Sequence, residues 1–198
     1  MIVGFFPATT MPDADWWQSL WPDPAKVLAE MGVEPGMVVV DLCCGDGLFT
    51  VPLVRIAKRV YAIDIDRAIL DRARARVAEA GAANCEFVVT NAMAVDTVVP
   101  EPVDYVFLAN TFHGVLDQRG LARVVAARLK PSGQFGIINW HRRPRKETVV
   151  LGQPRPNNRD ADRGRRGDGN PRAGRPAPEP HCRATPLSLW RCLQRRRE

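Results

Sequence analysis

Short apolar runs alternate with amphipathic stretches through the first two-thirds of the chain. In the run at 38–42, Val-Val-Val-Asp-Leu, one acid interrupts apolar residues. That pattern belongs to a strand buried on both faces, as in a parallel sheet covered by helices. Phe49, Leu53, Ile56 and Ala57 then recur at helical spacing, with Pro52 in the first turn, where a missing N–H costs little. Residues 59–66 read as a second strand ending near Asp64. Across 67–80, Ile69, Leu70, Ala73, Val77 and Ala80 line one helical face with arginines outward; Asp66 is placed to cap this helix and Gly81 to stop it. Residues 85–93 form a third strand and its exit, 103–109 a fourth, 116–130 an amphipathic helix with a weak spot at Gly120, and 134–140 a fifth strand after a turn at 129–133. The alternation predicts an α/β fold: a doubly wound, mostly parallel sheet with helices on both faces.

Residues 1–36 precede this core as an aromatic-rich helical cap. Asp13 or Asp15 caps a short helix that places Trp17 and Trp21 on one face with Leu20 beside them, and 25–31 form a second helix ending near Gly32. Two uses suit these tryptophans: a lid offering ring faces to a cation or an adenine, or a cover for the sheet.

Chemistry concentrates where the first strand meets its helix, at Asp41-Leu-Cys-Cys-Gly-Asp-Gly-Leu-Phe-Thr50. Gly45 and Gly47 let the backbone turn tightly and approach a ligand closely. Strand, glycine turn and helix together make a nucleotide-type pocket at the helix N-terminus. The third glycine of a dinucleotide fingerprint is replaced by Thr50, and a carboxylate at Asp41 would repel a pyrophosphate. Asp41 instead suits a ligand with a cationic amino-acid end, reached directly, through water, or by orienting the turn's amides. Asp64 lies 23 residues further on, where a carboxylate can accept from both hydroxyls of a ribose.

This stretch resembles motif I of the class I S-adenosylmethionine-dependent methyltransferases, with Cys43 where glycine is usual. Leu129-Lys-Pro-Ser-Gly133 between helix and strand is a second landmark of that family, and the resemblance covers roughly residues 30–141. It implies a Rossmann-like methyltransferase core at 37–141 that holds S-adenosyl-L-methionine against Asp41, Cys43, Gly45, Gly47, Asp64, Ile65, Asn91, Ala92 and Asn110. At Asn91 the family often has an aspartate that accepts from the adenine amino group; an amide oxygen makes the same bond more weakly, and a plain turn asparagine is the other reading. The segment leaving the fourth strand, Asn110-Thr-Phe-His113, faces the crevice where a methyl acceptor would sit, and it lacks the Asn-Pro-Pro-aromatic signature of the family's DNA-adenine and glutamine-amide members. His113 is the candidate base by position and His141 the second, each with a structural or solvated histidine as the alternative.

Composition bounds the rest. With 198 residues, one domain is expected. The net charge of +6 is uneven: residues 1–141 carry 12 Lys and Arg against 16 Asp and Glu, and 142–198 carry 16 against 6. A mildly acidic body does not favour a polyanion, so a small-molecule methyl acceptor is expected, with nucleic acid disfavoured for the core. The five cysteines show no paired metal spacing, and no run reaches the roughly 20 apolar residues of a membrane span. The start has no basic region ahead of an apolar run, so a cytoplasmic location is expected.

Residues 151–198 hold 12 Arg, 7 Pro and 5 Gly, half of that stretch, and no Val, Ile, Phe, Met or Tyr. Such a composition predicts that the tail, 142–198, stays disordered outside the fold, and that the family's terminal strands are missing. The change near 152–156 fits a shifted reading frame, as G+C-rich codons specify these residues; a basic RNA-binding tail is the alternative. Two rival functions therefore stand beside methyl transfer: an NAD(P)-dependent oxidoreductase using the same turn, and a nucleic-acid binder acting through the tail.

Overall fold

The computed structural model describes residues 14–139 together with the short stretches 149–150, 153–154 and 189–193. Two helices come first, α1 (Ala14–Leu20) and α2 (Pro24–Glu30), followed by β1 (Val38–Leu42), α3 (Thr50–Ile56), β2 (Arg59–Asp64), α4 (Arg67–Glu79) and β3 (Cys85–Val89). After β3 come a 3-10 turn at Ala92–Ala94 and the short α5 (Val95–Val98), then β4 (Val103–Ala109), a second 3-10 turn at Phe112–Gly114, α6 (Gln118–Arg128) and β5 (Leu129–Ile138). The five strands run parallel in the order β3-β2-β1-β4-β5. This is the doubly wound sheet that the alternation of patterns predicts.

Every residue of β1 is buried, as a central strand covered on both faces requires. On one face Val39, Val60, Tyr105 and Phe107 pack with Trp21, Leu28, Phe49 and Leu53 from the α1–α3 side. On the other, Val38, Val40, Leu42, Tyr61 and Val106 pack with Val95, Leu121 and Val125 beneath α5 and α6. Asp66 caps α4 through Ala68 and Ile69 N–H, and Gly81 follows with φ +72°, as expected.

Trp17 and Leu20 pack with Trp21, the shared face expected, and α1 buries Trp16 more deeply still, edge-on to Trp17 at 5.0 Å. Trp21 lies in the core against Phe49, so for this ring the sheet cover is the role observed. Two local expectations are corrected. Gly120 is no weak spot: Asp117 caps α6 through the Gly120 N–H at 2.7 Å, and a Cβ there would collide with that carboxylate. The expected turn at 129–133 is instead the irregular start of β5, where the register slips between Val103 and Tyr105.

The tail is not wholly outside the sheet. Leu189–Leu193 pairs antiparallel with β5 from Gln134 to Ile138, making a sixth strand. With Val149–Val150 and Gln153–Pro154 taken as β6 and β7, a two-residue antiparallel ladder of their own, this strand is β8. The sequence reading weighed Val, Ile, Phe, Met and Tyr, whereas Leu-Trp-Arg-Cys-Leu draws on other apolar residues. The open edge of β5 supplies unpaired backbone groups for such a strand to meet. His141 and the remaining tail and N-terminal positions fall outside the described residues.

Candidate active site

Strand order reverses between β1 and β4, and the carboxyl ends of those two strands flank a crevice where α/β sheets of this kind bind ligands. The backbone is strained at both lips. Cys43 follows β1 with φ +59°, and Asn110 follows β4 with φ +59°; among the described residues they are the non-glycine positions in the left-handed region. Such conformations cost on the order of 1–3 kcal/mol and cluster where a ligand is held. Asn110 is pinned by its N–H, which donates to the Ile138 carbonyl at 2.8 Å.

The glycine turn divides its labour. Gly45 has φ +57° and a Cβ built there would meet nothing within 4 Å, so this backbone lies open to a ligand. Gly47 has φ +87° and faces α4, where a Cβ would stand 3.0 Å from Ala73. Asp46, between them, forms an ion pair with Arg76 of α4 at 2.9 Å, tying the turn to that helix.

Two acids anchor the turn from neighbouring strands. Leu42 of β1 registers with Ile63 of β2, so Asp41 and Asp64 lie at the same end of adjacent strands. Asp64 Oδ2 accepts from Gly45 N–H at 2.9 Å, and its Oδ1 accepts from Asp66 N–H at 3.0 Å. Burial pushes the Asp64 carboxyl up, while these backbone donors hold it down. With Ile65 N–H as a third backbone donor, the carboxylate keeps one of its roughly four acceptor sites, which suits a ribose hydroxyl. Asp41 is almost fully buried, and its Oδ2 accepts from Thr50 Oγ1 at 2.6 Å. Burial pushes its carboxyl up to about 7, the Thr50 hydroxyl counters, and the nearby Asp64 charge adds to the rise. A carboxylate buried this deeply is no open grip; what it can offer a ligand is charge at short range in a dry medium.

The other expected positions fall around this centre. Ile65 is half-buried directly after β2. Asn91 caps the 3-10 turn, its side-chain oxygen accepting from Met93 N–H at 2.9 Å, which is the turn-asparagine role; Ala92 beside it is buried. Cys43 is half-buried, and burial beside two carboxylates pushes its thiol far up, leaving no thiolate nucleophile. His113 sits in the 3-10 turn after β4, with Nδ1 2.8 Å from Asn139 Oδ1 at the end of β5. With the amide oxygen toward the ring, Nδ1 carries the proton and Nε2 is the basic nitrogen. Sequence reasoning missed Thr50 and Asn139 as parts of the site: Thr50 reads only as the residue in place of a third glycine, Asn139 belongs to no motif, and only the fold brings them to Asp41 and His113. Among the described residues no group of His, Cys, Asp and Glu is arranged to hold a metal ion, and no helix is long and apolar enough to cross a membrane.

Comparison with known proteins agrees with this geometry. The family described as methyltransferase domain matches residues 39–133. A demethylmenaquinone methyltransferase of Lactococcus lactis is 30% identical over 117 residues, covering 58% of this chain and 46% of its own length. A SAM-dependent methyltransferase of known structure from Aquifex aeolicus superposes with TM-score 0.54 at 29% identity, covering 65% of this chain and 69% of its own. The N-methyltransferase NodS from Bradyrhizobium japonicum, solved with S-adenosyl-L-homocysteine, shares the fold with TM-score 0.56 at 17% identity, over 65% of this chain and 67% of that one. The chain spans about half the length, or less, of the curated relatives it matches, such as 41% of a Mycobacterium tuberculosis protein. Over residues 39–133 the chain matches the methyltransferase domain family, and it shares the fold of S-adenosylmethionine-dependent methyltransferases.

Proposed function

We propose that the protein transfers a methyl group from S-adenosyl-L-methionine to a small-molecule acceptor. The observation that carries this reading is the open Gly45 backbone, hydrogen-bonded to Asp64 and lying beside the buried charge of Asp41. Bound there, the cofactor supplies an electrophilic methyl on a sulfonium. Asp64 is positioned for one of its ribose hydroxyls and Asp41 for its cationic amino-acid end. Gly45 leaves room for its close approach, while Ile65, Asn91 and Ala92 border the adenine side. Cys43, Gly47 and Asn110 shape the two lips of the crevice. In-line displacement asks the protein mainly for position and dryness. His113, held by Asn139, is the group that takes a proton when the acceptor atom carries one.

A small acceptor suits a described body that adds no substrate domain to the cofactor core and, across 1–141, carries more acids than bases. The relatives named as demethylmenaquinone and ubiquinone-biosynthesis methyltransferases support that class of acceptor. The oxidoreductase reading lacks the third glycine and sets Asp41 against a pyrophosphate. Incubating the protein with methyl-labelled cofactor and a metabolite extract tests the proposal. Label in a low-molecular-weight product, lost in Gly45→Val, is expected; label in RNA or protein alone contradicts the acceptor class.

A further inference from the structure

Asp41 and Thr50 are the polar residues that the described chain buries almost completely, at 2% and 0% exposure, and they are each other's partners through the 2.6 Å bond from Thr50 Oγ1 to Asp41 Oδ2. Packing alone does not ask for this pair: Val39, Val60 and Phe107 surround it on the same face of the sheet, and apolar residues of similar volume would fill the space at no desolvation cost. A carboxylate placed here with one hydroxyl donor is a charge kept for something outside the core. On the reading that the crevice takes S-adenosyl-L-methionine, we propose that Thr50 is a positioning residue of the site. Its hydroxyl fixes the Asp41 side chain and favours the ionised form, so that the crevice presents a negative charge to the cofactor's cationic amino-acid end.

The surroundings leave the hydroxyl this influence. Among the described residues, the ionisable groups felt at this point are Asp64 on β2, a like charge, with Cys43 and Cys44 in the turn and Cys85 on β3. Burial pushes all three thiols up, so they are neutral, and none of these groups supplies a compensating positive charge. Burial also brings Asp41 to about 7, with Asp64 adding to the rise, and the Thr50 hydroxyl is the group that opposes it.

Titration of folded protein with S-adenosylhomocysteine across roughly pH 6 to 9 tests this. Native affinity is expected to rise through neutrality. Thr50→Val is expected to bind about five- to tenfold more weakly at pH 7, with its inflection moved to higher pH, and Thr50→Ser to restore both. Asp41→Asn is expected to abolish the inflection, and supplies the test if Thr50→Val does not fold. Native-like binding by Thr50→Val, a uniform loss with an unmoved inflection, or an inflection retained in Asp41→Asn overturns the role of Thr50. If native protein binds no S-adenosylhomocysteine at any pH, the reading of the crevice itself fails, a result distinct from those three.

Discussion

A dry carboxylate on the first strand works against the stability of the fold that carries it. The Asp41 carboxyl rises from 3.8 to about 7 on folding, so the native state binds its proton more tightly than the unfolded chain does. The stability this group contributes is fully present below 3.8 and is lost as pH rises through about 7. Asp41→Asn keeps the shape, and its amide can still face the Thr50 hydroxyl, but it never ionises. At pH 8 this variant is expected to be more stable than native protein by on the order of 2–4 kcal/mol, seen as a higher melting temperature, while binding cofactor more weakly. The gain should shrink as both are measured at progressively lower pH. A variant no more stable than native at pH 8 contradicts the assignment of a buried, ionisable Asp41.

Among the elements, the strand–turn–helix unit concentrates the site because two glycines with left-handed backbone do different work. Gly45→Val fills the open side of the turn. It is expected to abolish S-adenosylhomocysteine binding while costing on the order of 1–2 kcal/mol through backbone strain. Gly47→Ala adds to similar strain a contact with Ala73 at 3.0 Å, so chemical denaturation should show the larger loss of stability there. Native-like cofactor affinity in Gly45→Val contradicts a ligand at that backbone. This division is only half legible in the sequence, which marks both glycines as turn formers but not what each one faces. Local signals elsewhere read through cleanly: the Asp66 cap, the Gly81 stop and all of β4. The misreadings are tertiary. The 129–133 turn is drawn into β5 by pairing with Val103, and the weak spot expected at Gly120 is taken up by the Asp117 cap.

For the whole molecule, the order β3-β2-β1-β4-β5 gathers residues far apart in the chain at one crevice. Alternating strand and helix patterns were enough to anticipate a doubly wound, mostly parallel sheet, since right-handed crossovers leave few alternatives. They were not enough to pair His113 with Asn139 or Asp41 with Thr50, contacts made only once β4 lies beside β5 and α3 folds back on β1. Nor did an Arg- and Pro-rich composition announce that Leu189–Leu193 meets the β5 edge. The placement that matters most is of two acids beside one open turn. Calorimetric titration of native protein at pH 8 with S-adenosylhomocysteine and, separately, with NAD tests it most directly, alongside Asp64→Ala. Saturable binding of S-adenosylhomocysteine alone is expected, weakened by about 1.5–3 kcal/mol in the variant, the usual worth of hydrogen bonds to a charged group. Preferential binding of NAD, or full affinity without the Asp64 carboxylate, would contradict it.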